Sequence, residues 1–265
     1  MTDFITVNNL SERSNGGKKN TVVKIAAAVF WITVWQIVSM AVGYSILLPS
    51  PFEVVQRLIE ILPRSEFVSD VAFSFVRIIG GFFCAAFAGT VFAVLSYNFG
   101  TVKILLMPLV SLVKTVPVAS FVVIALIWLP SRNLSFLISF LMVLPIMYSN
   151  ILSGLYAVDE KMLEMSRLFG FRKINVFLYI YLPPLFRYFR AACASGLGLC
   201  WKAGVAAELI GIPHGSLGAN LYYAKVNFQT SELLARTVII VLASVLFEKL
   251  FVALLDAAYR AFERA

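Results

Sequence analysis

Charge is scarce in this chain. Of 265 residues, 14% are charged and 60% are hydrophobic, with a mean hydropathy of +0.89. A soluble domain keeps about a quarter of its residues charged, so a water-soluble globule is excluded. Histidine is nearly absent: His214 stands alone, with nothing nearby to complete a metal site. Cys84, Cys193 and Cys200 show no C-x-x-C spacing and read as small apolar packing residues. No G-x-x-x-x-G-K-[ST] occurs, so the chain has no usual loop for cradling ATP phosphates, and no motif calls for a cofactor.

Acids are scattered and form no triad, ligand set or carboxylate pair, which argues against a membrane-embedded enzyme. An ion-coupled secondary transporter relying on an intramembrane carboxylate such as Glu208 is the other alternative. It is disfavoured because no repeated half with interrupted helices is visible.

Long apolar runs are what the chain has in abundance. A helix needs about 20 apolar residues to cross a bilayer. Ile25 to Leu48, Ile78 to Val102 and Asn133 to Val158 carry no charge, and Ile104 to Ser131 carries only Lys114. Ala191 to Ile212 contains Lys202 and Glu208, and Thr237 to Ala258 is charged only in its second half. These runs predict an all-α integral membrane protein of about six transmembrane helices. Small residues repeat every four positions in Gly81, Ala85, Gly89 and Ala93, and again in Ala192, Gly196, Cys200 and Gly204. That spacing lets helix backbones approach closely in lipid. Pro108 and Pro117 predict a bend in the third span.

Orientation follows from the basic residues. With about six spans, one side receives Arg13, Lys18, Lys19, Lys24, Lys103, the cluster from Lys161 to Arg190, Arg260 and Arg264. The other side receives Arg57, Arg64, Arg132 and Lys225. Both termini are therefore expected in the cytoplasm of a multi-pass protein of the cytoplasmic membrane. The net charge of +8 then faces anionic lipid rather than nucleic acid. A cleavable signal peptide is not expected, since the first apolar run is too long and Pro49-Ser50-Pro51 is no cleavage site. Residues 1–20 are expected to form a mobile tail, and residues 21–265 one transmembrane domain with a loop at about 157–184.

Ser50-Pro51-Phe52-Glu53 predicts a capping box opening a short helix. Phe52, Val55, Leu58, Ile59 and Leu62 recur there opposite Glu53, Gln56, Arg57 and Glu60. The helix lies either on the membrane surface or packed on the bundle.

Between the fourth and fifth spans, Asp159 is a helix cap followed by Glu160 in the first turn. Met162, Met165, Ser166 and Phe169 fall on one face, and Glu164 is spaced to pair with Arg167. Gly170 comes where a left-handed stop is needed, and Leu182-Pro183-Pro184 is expected to break the following helix before span five. A short exposed helix in a basic loop is where a membrane protein meets a soluble partner.

The spacing E-x-x-x-x-x-G-x9-I-x-L-P, carried by Glu164, Gly170, Ile180, Leu182 and Pro183, resembles the EAA loop of permease subunits in binding-protein-dependent ABC importers. Met165 and Ser166 stand where the family has two alanines. Ser74-Phe75-Val76-Arg77 with Gly80-Gly81, and the run Trp201 to Glu208, resemble the nitrate/sulfonate/taurine group. The resemblance implies a type I ABC importer permease, forming a homodimer above separate ATP-binding cassette ATPase subunits. An extracytoplasmic solute-binding protein would deliver a small anion such as a sulfonate, nitrate, taurine or a thiamine precursor. ATP hydrolysis would belong to the partner subunit, so the chain itself would be no enzyme. Under this resemblance Glu164, Met165, Ser166, Phe169, Gly170, Leu182 and Pro183 form the ATPase-coupling loop.

Lys114, Lys202 and Glu208 lie within spans, where each charge costs about 2.5–3.5 kcal/mol on insertion scales. Lys202 and Glu208 sit about 9 Å apart along one helix and roughly 120° around it, so they do not pair with each other. They are candidate pathway residues for an anionic solute, or else braces of the bundle. The glycine-rich outer segment Gly211 to Gly218, with His214 and Ser216, is a candidate contact for the binding protein or a plain turn.

Overall fold

A computed structural model of the chain describes residues 8–264, with side chains from residue 23 to residue 263. The first seven residues of the expected tail lie outside the described residues; from Asn8 the backbone continues as helix α1 (Asn8–Val42). All regular structure among the described residues is helical. The succession is α2 (Pro51–Ile61), α3 (Ser65–Asn98), α4 (Gly100–Thr115), α5 (Val118–Trp128), α6 (Leu134–Tyr156), α7 (Glu160–Leu168) and α8 (Lys173–Val176). A wide turn at Phe177–Tyr181 then leads to α9 (Leu182–Gly211), α10 (Leu217–Val226) and α11 (Thr230–Arg264). Among the described residues five helical segments are long and apolar enough to cross a membrane, and the bent α4–α5 pair makes a sixth if it counts as one span.

The core is a three-helix sandwich of α3, α6 and α9, and the small-residue stripes explain it. A Cβ at Gly81 would lie 2.4 Å from the Phe136 carbonyl oxygen, and one at Gly89 2.7 Å from Met147 Cβ, so α3 and α6 touch backbone to backbone. Gly204 on α9 meets Ile78 of α3 and the Ser139 hydroxyl of α6, and Ser139 also donates to the Cys200 carbonyl at 3.2 Å. Lipid provides no hydrophobic drive, so close packing and such bonds hold the helices together. Phe82, Ile78, Leu197 and Trp201 fill the space between them.

The third span departs from expectation. A bend was expected from Pro108 and Pro117, but Pro108 stays inside α4, whereas at Pro117 the chain turns by 107°. Pro117 cannot donate into α4 and caps α5 instead. Lys103 of α4 donates to the Tyr156 hydroxyl at one end of the bundle, and α5 delivers the chain to Leu134 at the other end. The pair therefore crosses as one broken span. The interruption falls at Pro117, one of the two prolines expected to bend this span.

The fifth span differs too. Leu182-Pro183-Pro184 does not break the helix. The missing proline donors fall in the first turn of α9, and the preceding turn widens so that the Leu182 amide donates to the Phe177 carbonyl. Lys173 to Gly211 is one continuous, locally wide helical run.

Helix α2 opens as expected, with Ser50 Oγ accepting from the Glu53 amide at 3.2 Å. It packs on the bundle through Val54, Leu58 and Ile61, while Phe52, Val55 and Ile59 point outward. Arg57 joins it to α11 through Glu232, which also pairs with Arg236. Ion pairing with Glu60 and Glu232 holds the Arg57 guanidinium above its ordinary range.

Candidate functional site

The α7 loop folds as its cap residues dictate. Asp159 Oδ1 accepts from the Lys161 amide at 2.9 Å, satisfying one of the free donors that open α7. At the other end Gly170 adopts φ +64°, and a Cβ there would meet nothing within 4 Å. The constraint at Gly170 is backbone conformation alone. The Phe171 amide donates to the Ser166 carbonyl at 2.9 Å, which closes the turn.

The outer surface of this turn is apolar in a way that water does not favour. Leu168 is 86% and Phe169 72% exposed, with Met162, Met165, Phe171 and Ile174 also exposed. Ser166, expected on that face, is turned inward at 3% exposure and donates to the Leu163 carbonyl at 2.7 Å. A helix of only 9 residues has one buried stripe, and the small hydroxyl fits it better than the methionines do. Glu164 and Arg167 make no ion pair among the described residues; both line a cavity of about 350 Å³ over Tyr97 and Tyr156. Leu182 and Pro183 start α9 directly, so α7 is tied to a long spanning helix. At the same end Arg190 of α9 clasps Asp256 of α11 through two contacts at 2.5 and 2.9 Å.

The intramembrane charges separate into two kinds. Lys114 sits in the last turn of α4, where the broken helix leaves carbonyls unpaired and favours a cation, and it donates to Ser149 Oγ at 2.8 Å. Lys202 is exposed on a face of α9 shared with exposed Ser195 and half-buried Gly198 and Ala206. That face is small and polar, whereas the exposed faces of α1 and α11 carry large apolar side chains such as Trp31, Leu242 and Leu246. Glu208, by contrast, is completely buried. Its Oε2 accepts from Ser74 Oγ at 2.7 Å and from the Gly218 amide at 3.1 Å, and Ser74 Oγ accepts from the Leu217 amide at 3.0 Å. The carboxylate thus holds α3, α9 and the start of α10 together.

The segment from Gly211 to Gly218 is rigid and packed rather than loose. A Cβ at Gly218 would fall 2.4 Å from Glu208 Cβ, and one at Gly211 2.4 Å from a Leu134 methyl. Ile212 is forced to φ +47° at the end of α9. Ser216 is buried as the cap of α10, its hydroxyl accepting from the Ala219 amide at 3.1 Å. His214 and Gly215 form the exposed tip. Asn220 donates to Asp70 at 2.5 Å and adds a second tie from α10 to α3. Ser74, Gly218, Asp70 and Asn220 escaped sequence reasoning as a set. Only the resemblance of the Ser74-Phe75-Val76-Arg77 run had marked that stretch of α3.

Residues 81–265 match the family of binding-protein-dependent transport system inner membrane components. The chain is 25% identical to a putative aliphatic sulfonates transport permease of Bacillus subtilis, covering 85% of this chain and 82% of that protein. It is 25% identical to a taurine transport system permease of Escherichia coli, over 83% and 82% of the respective chains. With a nitrate import permease of Synechocystis it shares 26% identity, over 88% and 86%.

Proposed function

The chain belongs to the binding-protein-dependent transport system inner membrane components, and from that premise we infer that it is the membrane subunit of an ATP-driven importer for a small organic or inorganic oxyanion. The solute class is supported by the sulfonate, taurine and nitrate permeases to which it is similar. Two copies form the path, with both termini and α7 in the cytoplasm. The small, polar face of α9 with Lys202, and Lys114 beside the break in α4, line the route. Glu208 serves as a brace beside that route. The outer tip at His214 meets the solute-binding protein.

One observation carries this reading. The Asp159-capped, Gly170-terminated helix α7 presents Leu168 and Phe169 to solvent on a loop tied directly to α9. Such an apolar knob fits a groove on a soluble partner. An ATPase dimer closing on ATP moves two such knobs as rigid levers and shifts the spans between two packings. Residue contacts test it: with Leu168→Cys in a Cys84→Ser background, a bifunctional thiol reagent should link the chain to an ATPase subunit carrying a groove cysteine. The link should depend on nucleotide state. Linking that is absent, or equal from a cysteine placed at exposed Tyr44 near the other end, refutes the coupling role.

A further inference from the structure

At the end of the bundle formed by α2 and α10, two guanidinium groups share one aromatic ring without sharing a counter-ion. Arg77 Cζ lies 3.6 Å from the centroid of the Phe73 ring, and Arg132 Cζ lies 6.0 Å from the same centroid. Arg77 is fixed by donating from Nε to the Arg132 carbonyl at 2.8 Å and from Nη1 to the Phe73 carbonyl at 3.3 Å. These bonds hold the Arg132 backbone against α3 and bring the two like charges together. Neither guanidinium enters an ion pair among the described residues, whereas Arg57, Arg190 and Arg236 all do. Buried Glu208 attracts Arg77 electrostatically but makes no ion pair or hydrogen bond with it among the described residues: its Oε2 accepts from Ser74 and the Gly218 amide, and its Oε1 has no partner there.

Beside Arg77 opens a cavity of about 670 Å³, lined also by Asn133, the neighbour of Arg132 in the chain. Arg77 and Asn133 give it a hydrogen-bonding wall, and Val76, Leu129 and Phe136 give it an apolar one. A planar guanidinium fork matches the oxygens of an oxyanion, and an apolar wall suits a short organic stem. We propose that Arg77 and Arg132, arrayed on Phe73, form an entry site for the oxyanion head of a sulfonate-class solute. Its place at the entrance rests on the importer reading, which puts this end of the bundle outside; the binding chemistry does not.

The test uses the full chain, purified with its ATPase subunits in a phosphate-free maltoside detergent and titrated calorimetrically with methanesulfonate. Short-chain phosphatidylglycerol is titrated separately, because a lipid phosphate offers the same oxygens. Saturable methanesulfonate binding is expected, weakened about tenfold or more by Arg77→Gln or Arg132→Gln. Arg132→Lys should recover part of it, and Arg64→Gln, at an exposed helix start, should change nothing. No saturable binding, or binding unaltered in Arg132→Gln, overturns the proposal, and binding of the lipid alone overturns the solute assignment. Should Arg77→Gln fail to assemble for want of its two backbone bonds, exposed Arg132 decides the matter alone. ATPase stimulation by the binding protein, read on the same preparation, separates the two readings. Stimulation without methanesulfonate binding removes the site and leaves the importer standing. Binding by a chain that recruits no ATPase keeps the site and removes the importer.

Discussion

Ser74 Oγ donates to Glu208 Oε2 across 2.7 Å, joining residues 134 positions apart in the chain inside the bundle. With the Gly218 amide on the same oxygen, the pair locks α10 onto the spanning helices. Glu208→Ala removes the acceptor from both donors and should destabilise the subunit by about 1–3 kcal/mol. Glu208→Gln retains an acceptor oxygen and should lose less. The onset of dye labelling at buried Cys193 and Cys200 on heating, in a Cys84→Ser background, measures both. Equal onset temperatures for wild type and Glu208→Ala would mean that the carboxylate is no brace.

Two glycines are expected to answer the same substitution in opposite ways. At Gly81 a methyl group must displace the Phe136 carbonyl oxygen, 2.4 Å away, at a cost of about 1–3 kcal/mol for overpacking. At Gly100, the first residue of α4, a Cβ meets nothing within 4 Å. Gly100→Ala should therefore be neutral or stabilise by up to about 1 kcal/mol. Thermal unfolding of the two variants side by side checks the contrast, and similar midpoints would contradict the close packing of α3 on α6.

Gly170 is expected to separate coupling from folding. The Cβ of Gly170→Val meets nothing within 4 Å, so its main cost is the left-handed backbone, about 1–2 kcal/mol. Confined to a surface loop, that strain should reshape the α7 turn while the spans stay assembled. Gly170→Asn, which tolerates this conformation, should be milder. The readout is the amount of ATPase subunit retained on affinity-purified chain, expected in the order wild type, Asn, Val. Full retention by Val would detach the glycine stop from coupling.

Labelling in intact cells tests the direction of the chain. His214 is exposed at the tip of its turn, and Ser216, two residues on, is buried as a helix cap. In a Cys84→Ser background, a membrane-impermeant thiol reagent added outside should modify His214→Cys and largely spare Ser216→Cys. Modification of His214→Cys only after the cells are opened would invert the topology.

Much of this was legible because it is local. The capped α2, the Asp159 cap and the Gly170 stop each depend on residues within one turn, and apolar length alone marks the spans. The small-residue stripes named their packing faces because in lipid nothing larger permits such approach. What escaped was set by distant partners. Glu208 finds Ser74 from another helix, which no spacing within α9 reveals. A proline announces a lost donor but not an angle, so Pro117 turning the chain by 107° and Pro183-Pro184 passing through a widened turn look alike in sequence. Periodicity placed Ser166 with Met162 and Met165, while the fit of a hydroxyl beside Leu163 turned it inward.

We propose that this chain forms a path opened by ATP bound to a partner engaging α7. ATP-driven accumulation of labelled taurine or methanesulfonate, in proteoliposomes containing the chain and its ATPase and supplied with the binding protein, tests it most directly. Uptake should require both ATP and the binding protein and should be abolished by Phe169→Asp, a charge placed on the exposed knob of α7. Uptake driven by an ion gradient without ATP, or uptake unchanged by Phe169→Asp, would contradict it.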